Sequence, residues 1–154
     1  MIKRMLMVAG IFIAIFIIGG ISALIISGEN KPTEVKIGNA VFKVEIADSI
    51  ISQARGLSGR SDMPEDGGML FVFGSSGSRS FWMKGMNFSL DIIWINGNEI
   101  IQIDKNVPFP NLNNDLESYR SSGLVDKVLE INAGLSDKLG IKVGDEIINT
   151  SSFK

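Results

Sequence analysis

Leu90-Asp91-Ile92-Ile93-Trp94-Ile95-Asn96-Gly97-Asn98-Glu99-Ile100-Ile101-Gln102-Ile103 begins with six residues that are apolar except at Asp91. Side chains on a strand alternate between two faces, so this run asks for burial on both sides, and it is too short for an ordinary helix. Asn96-Gly97 has the composition of a type I′ turn, and Ile100, Ile101 and Ile103 resume the pattern as a returning strand. A hairpin with one strand apolar on both faces belongs inside a sheet that is covered on both sides. The neighbouring sequence must supply that cover.

Upstream, Met69 to Phe73 is a five-residue apolar run behind Gly67-Gly68, and Ser80 to Lys84 is another strand candidate. Val35 and Ile37, a turn at Gly38-Asn39, and Val41, Phe42, Val44 and Ile46 alternating with Lys43 and Glu45 predict a half-buried hairpin. Asp48 or Ser49 can cap a short helix toward Arg55, with Gly56 as its left-handed stop. Downstream, Asn106 to Gly123 reads as a long polar loop around Pro108 and Pro110, and Leu124 to Ile131 as a strand. Ala133 to Leu139 predicts a helix closed by Gly140, and the Gly144-Asp145 turn leads into a last strand at Glu146 to Ile148. The sum is an α+β domain: a curved or barrel-like, mostly antiparallel sheet with two short helices.

The 154-residue chain also holds an apolar run from Met5 to Ile26, free of charge between Arg4 and Glu29. As a helix it would extend about 33 Å at ~1.5 Å per residue, enough for a bilayer core. Lys3 and Arg4 on its N-terminal side predict a cytoplasmic N-terminus and an exported remainder. The organisation expected is an anchor over residues 1–27, a polar linker over 28–33 and an exported domain over 34–154. A cleaved signal peptide is the alternative, with Gly20-Ile21-Ser22 as the small-residue site.

Cysteine and histidine are both absent, which excludes disulfides, thiolate chemistry, Cys/His zinc sites and a Ser/His/Asp triad. Beyond Gly28 the chain carries 13 basic residues against 17 acidic ones, a net charge of −4 with no basic run, which argues against nucleic acid as a partner. The amides and acids at Asn111, Asn113, Asp115 and Glu117 repeat like calcium ligands, but Leu116 and Ser122 replace the glycine and the bidentate glutamate such a loop needs. No metal or cofactor is expected.

Arg55-Gly56-Leu57, Gly68-Met69-Leu70-Phe71-Val72-Phe73, Phe81-Trp82-Met83-Lys84, Leu90-Asp91-Ile92-Ile93, Val128-Leu129-Glu130-Ile131 and Gly140-Ile141-Lys142-Val143-Gly144-Asp145 follow one another in an order that resembles the domain of unknown function 192 family. The resemblance spans nearly all of the exported part. It implies a compact β-rich α+β fold, often behind a signal or anchor, and no established activity. Many members carry cysteines after the mid-domain proline, whereas Val107-Pro108-Phe109-Pro110 and its sequel have none, so no role of theirs carries over.

Within those blocks Arg55, Trp82, Lys84, Asp91 and Glu130 are the residues that apolar packing explains least. Arg55 can bond the last carbonyls of its helix or clamp an anion. Trp82 can pack in the core or offer a stacking platform. Lys84 can neutralise Asp91 across its turn, and Glu130, if its face is covered, needs a partner such as Arg55 or Lys84. Converging on one concave surface, the five residues would form a non-catalytic site for a small ligand or an envelope polymer. Two alternatives stand: a glycoside hydrolase using Asp91 and Glu130 as its carboxylate pair, or an interaction module for another membrane protein, marked by an exposed apolar patch.

Overall fold

The computed structural model describes residues 33–110 and 117–149. The apolar run 5–26, the linker up to residue 32 and the Asn111 to Leu116 segment of the calcium-like pattern lie outside the described residues. Among the described residues no helix is long and apolar enough to cross a membrane.

Among the described residues nine strands and two short helices follow in the order β1 (Thr33–Ile37), β2 (Ala40–Ala47), α1 (Ile50–Arg55), β3 (Gly67–Gly77), β4 (Ser80–Trp82), β5 (Leu90–Asn96), β6 (Glu99–Val107), β7 (Ser118–Arg120), β8 (Val125–Asn132), α2 (Leu135–Leu139) and β9 (Ile147–Asn149). Seven strands form one curved sheet in the order β6-β5-β8-β3-β2-β1-β9, and β4 and β7 form a separate ribbon. All pairs are antiparallel except β2 with β3. At one end the outer strands meet: the Ile100 amide donates to the Asp145 carbonyl (2.9 Å) and the Ile147 amide to the Asn98 carbonyl (2.8 Å). The sheet is thus a half-barrel whose edges are tied at one end, which protects strand edges that would otherwise be open.

The central strands β3, β8 and β5 are buried on both faces, as the run Leu90 to Ile95 requires. Leu70, Ile93, Ile95, Leu129 and Ile131 join Val35, Ile37, Phe42 and Val44 of the first hairpin in the core inside the curve. Met69, Phe71, Ile92, Trp94 and Val128 point the other way, into a second core with Leu57, Met83 and Met86. Phe81 of β4 and Tyr119 of β7 pack against that second core. Two packed layers on either side of one sheet explain why the central runs do not alternate.

Local chemistry sets the connections. Ser49 caps α1, its hydroxyl accepting from the Ser52 amide (3.1 Å), while the Ser52 hydroxyl receives the Ser49 amide (3.0 Å). Gly56 ends the helix at φ 50° and ψ −137°, a positive φ outside the expected left-handed helical basin. Gln53 ties α1 to the sheet through its side-chain amide, which donates to the Val72 carbonyl (2.8 Å).

Three expectations need correction. The β5–β6 turn is centred on Gly97-Asn98, because Asn96 pairs with Glu99. Gly97 (φ 60°) is its residue with positive φ, as in a type II′ turn. The second helix starts at Leu135 rather than Ala133, since Gly134 before it takes a positive φ of 82° and gives its amide to Asp91. The Asn106 to Gly123 stretch is not all loop: β6 runs to Val107, and β7 pairs with β4. Trp82, for which core packing and a stacking platform both stood open, is 62% exposed.

Candidate functional site

Between α1, the β4–β7 ribbon and the outer face of β3 and β8 lies a cavity of about 490 Å³. Its apolar wall is made by Leu57, Phe71, Phe81 and Met86, with the Trp82 ring at the exposed side. The aromatic rings are locked edge to face: Phe71 and Phe81 have centroids 4.8 Å apart at 90°, and Phe81 and Trp94 5.5 Å apart at 89°. Such contacts hold a pocket in shape before a ligand arrives.

Polar groups enter this lining from separate elements. Arg55 projects from the last turn of α1, Arg79 from the turn between β3 and β4, and Glu130 from the middle of β8. Glu130 is 6% exposed, and its strand neighbours in register are Met69 and Ile92. Gly68 lets β3 close on this part of β8, for a Cβ there would stand 2.9 Å from the Glu130 carbonyl oxygen. Among the described residues no hydrogen bond or ion pair reaches the Glu130 carboxyl, and burial pushes its pKa up from 4.5 to about 8. An unpaired carboxyl in such surroundings holds its proton at neutral pH, since the charged form would forfeit its hydration.

The Arg79 guanidinium carbon sits over the Phe73 ring, 4.1 Å from its centroid, and Nη2 donates to the Ser75 carbonyl (2.6 Å). Its Nε–H is buried without an acceptor among the described residues. Neither Arg55 nor Arg79 meets a carboxylate there. Arg60, by contrast, is clamped on both oxygens of Glu45 at 2.5 and 2.8 Å. No group of three acidic residues gathers among the described residues to hold a metal ion.

Of the five residues singled out from the sequence, Arg55, Trp82 and Glu130 line this cavity. Lys84 is next to it: the ammonium sits 5.4 Å from the Trp82 ring centroid, and its carbonyl accepts from the Ser58 hydroxyl (2.8 Å). Asp91 is elsewhere. It belongs to the face of β5 opposite to Ile92, and its carboxylate accepts from the amides of Asn106 (2.8 Å), Gly134 (3.0 Å) and Ser136 (2.8 Å). These bonds fasten the start of α2 and the end of β6 to β5, which explains the single polar residue in the run. The expected Lys84–Asp91 pair is therefore not formed, nor is a pair between Glu130 and Arg55 or Lys84.

Arg79 escaped the sequence reading. It is the one charge between Asp66 and Lys84, in a Gly- and Ser-rich turn flanked by Phe73 and Phe81, and that isolation was the available signal.

The family model for domain of unknown function 192, described as an uncharacterized ACR, matches residues 33–148. The chain belongs to this family. Among solved structures, a candidate transcription regulator from Sinorhizobium meliloti is similar to it at 30% identity and a TM-score of 0.71, over 79% of this chain and 98% of that one. A protein of unknown function from Novosphingobium aromaticivorans is 33% identical with a TM-score of 0.67, over 76% of this chain and 83% of that one. Among curated proteins none matches. The half-barrel is thus a domain of unknown function 192 fold, and its cavity lies among family blocks: Arg55-Gly56-Leu57, the Phe71 strand, Phe81-Trp82 and Glu130.

Proposed function

We propose that this domain of unknown function 192 is a non-catalytic small-ligand-binding module, tethered to the outer face of a membrane by residues 5–26. The observation that carries the binding reading is Glu130. A carboxyl buried without a partner costs stability, and such a cost is commonly retained where a ligand supplies the missing partner. The cavity around it has the size and the mixture of aromatic wall and few polar groups typical of small-molecule sites.

The hydrolase alternative has no support in the geometry, because Asp91 and Glu130 stand on opposite faces of the sheet and share no cleft. An interaction module keeps one supporting observation: Ile50 and Ile51 on α1 are 87% and 74% exposed. The transcription-regulator description of the Sinorhizobium protein is not extended to this chain. Lys43, Arg60, Lys105, Lys127 and Lys138 each pair with a carboxylate, and the part beyond Gly28 is acidic overall.

Binding is tested by thermal unfolding of the full chain in phosphatidylcholine nanodiscs with a panel of sugars, amino acids, organic acids, amines and phosphate esters. At least one class is expected to raise the Tm, as ligands that bind only the folded state must. A panel without any shift in the parent chain overturns the binding reading. Topology is tested on intact cells: added protease is expected to digest the domain while the N-terminal segment stays with the membrane. A domain that survives until the cells are opened contradicts the tether orientation.

A further inference from the structure

The charges in the lining point to a ligand class. We propose that the cavity takes a ligand with an anionic head, carboxylate or phosphate ester, on an apolar body. The head meets Arg55 and Arg79, and a hydrogen-bond acceptor on the body meets the Glu130 carboxyl. This inference rests on the binding reading given above and adds to it the chemistry of the ligand.

Two guanidinium groups line the cavity, and neither has a carboxylate partner among the described residues. Arg79 is held in place by its stacking on Phe73 and its bond to the Ser75 carbonyl, which presents a positioned cation on the wall. Arg55 is exposed at the end of α1. Guanidinium is the side chain best matched to carboxylate and phosphate oxygens.

Glu130 does not cancel these charges. Among the described residues the charged groups of the lining are Arg55 from α1, Arg79 from the β3–β4 turn and Glu130 itself. β3 contributes Met69 and Phe71 around Glu130, β5 contributes Ile92, β4 contributes Phe81, and along β8 its same-face neighbours are Val128 and Asn132. With its proton retained, the carboxyl is a neutral donor deep in the site, and the lining is net positive. A cation would be opposed by both arginines, and a neutral ligand would leave them unmatched. An anion with an apolar body answers the arginines at one end and covers Phe71, Phe81 and Met86 with the other.

The experiment is isothermal titration calorimetry of the full chain in phosphatidylcholine nanodiscs with four probes: phenyl phosphate, 3-phenylpropionate, phenethylamine and 3-phenylpropanol. The two anions are expected to bind at least about tenfold more tightly than the amine and the alcohol. Their affinity is expected to fall about tenfold between pH 7 and pH 9, as Glu130 passes its midpoint near 8 and its carboxylate places a negative charge in the same lining. Glu130→Gln keeps a neutral donor, so it retains binding at pH 7 and loses that pH dependence. Arg55→Ala combined with Arg79→Ala loses at least about tenfold for the anions, with an unchanged melting transition as the control for folding.

Nanodiscs doped with phosphatidylglycerol separate two sources of the anion. Competition with phenyl phosphate assigns the site to a lipid headgroup, and its absence assigns it to a free anion; the anionic class holds in both cases. Tight phenethylamine binding that strengthens with pH, or equal binding of the alcohol, overturns the anionic class and leaves the cavity a binding site. No heat with any of the four probes overturns the ligand class, and if the wider panel is silent too, the binding reading falls with it.

Discussion

Glu130→Gln is expected to remove a pH dependence of stability that the parent domain shows between about pH 4.5 and 8. In the folded protein the carboxyl ionises near 8, and in the unfolded chain near 4.5. Below 4.5 both states hold the proton, and Glu130 contributes no slope. As pH rises through the interval the unfolded chain releases its proton while the folded one keeps it, so stability is lost with increasing pH, and the loss is complete above about 8. At about 1.4 kcal/mol per pH unit the whole effect is of order 5 kcal/mol, comparable with the total stability of a small domain. The surface carboxylates contribute in the opposite sense and elsewhere. Glu45, Glu65 and Asp66 are held below their ordinary range by hydrogen bonds from Arg60, Lys138 and Lys43, so their stabilisation is present above that range and is lost as pH falls through it. Urea unfolding of the full chain, followed by the fluorescence of Trp82 and Trp94, reads the domain directly, because both tryptophans lie in it. A parent chain as stable at pH 8 as at pH 5, or a Gln variant with the same slope as the parent, would contradict this role for Glu130.

Trp94→Ala is expected to cost about 3 to 5 kcal/mol. The indole is fully buried in the second core, on the outer face of β5, with its centroid 5.5 Å from that of Phe81. Its Nε1–H donates to Asp104 Oδ2 (2.7 Å), so truncation also strips one donor from a half-buried carboxylate whose other donor among the described residues is the Gln102 amide at 3.1 and 3.2 Å. Because Phe81 leans on Trp94 and forms one wall of the cavity, the same substitution is expected to weaken ligand binding even where the domain stays folded. A loss below about 1 kcal/mol would mean that the outer face of β5 is not a packed core.

The hairpin at Leu90 to Ile103 and the two-sided runs at Met69 to Phe73 and Val128 to Ile131 were legible because burial on both faces leaves a local mark, an apolar run without alternation. So were α1, through Ser49, and the first hairpin. β4 was legible as well, within the Ser80 to Lys84 candidate, but its partner was not: β7 is three residues, Ser118-Tyr119-Arg120, with one ring to pack, and its pairing with Ser80-Phe81-Trp82 is long-range. The turn shift at Gly97 has the same origin, since register is set by pairing across the hairpin and not by the Asn-Gly dipeptide alone.

For the site, the sequence marked Glu130 as a charge in an apolar strand, and the alternation rule placed it on the face opposite Leu129. Sequence could not tell that its face would be covered with no cation paired to it among the described residues. Asp91 looked equivalent, a lone acid in an apolar run. The difference is in what the fold brings to each: three backbone amides converge on Asp91, and none converge on Glu130. Those amides belong to Asn106, Gly134 and Ser136, all distant in sequence, so no local pattern separates a fastening carboxylate from an unpaired one.

The unpaired, buried carboxyl at the cavity is the claim on which the rest depends, and its titration measures it directly. In the full chain labelled with ¹³C at glutamate Cδ, with Glu130→Gln used to assign the resonance, Glu130 is expected to titrate with a midpoint near 8 and to move higher when phenyl phosphate is bound. A midpoint near the ordinary 4.5, unchanged by the probe, would show a solvated or paired carboxylate and contradict both the cavity site and its ligand.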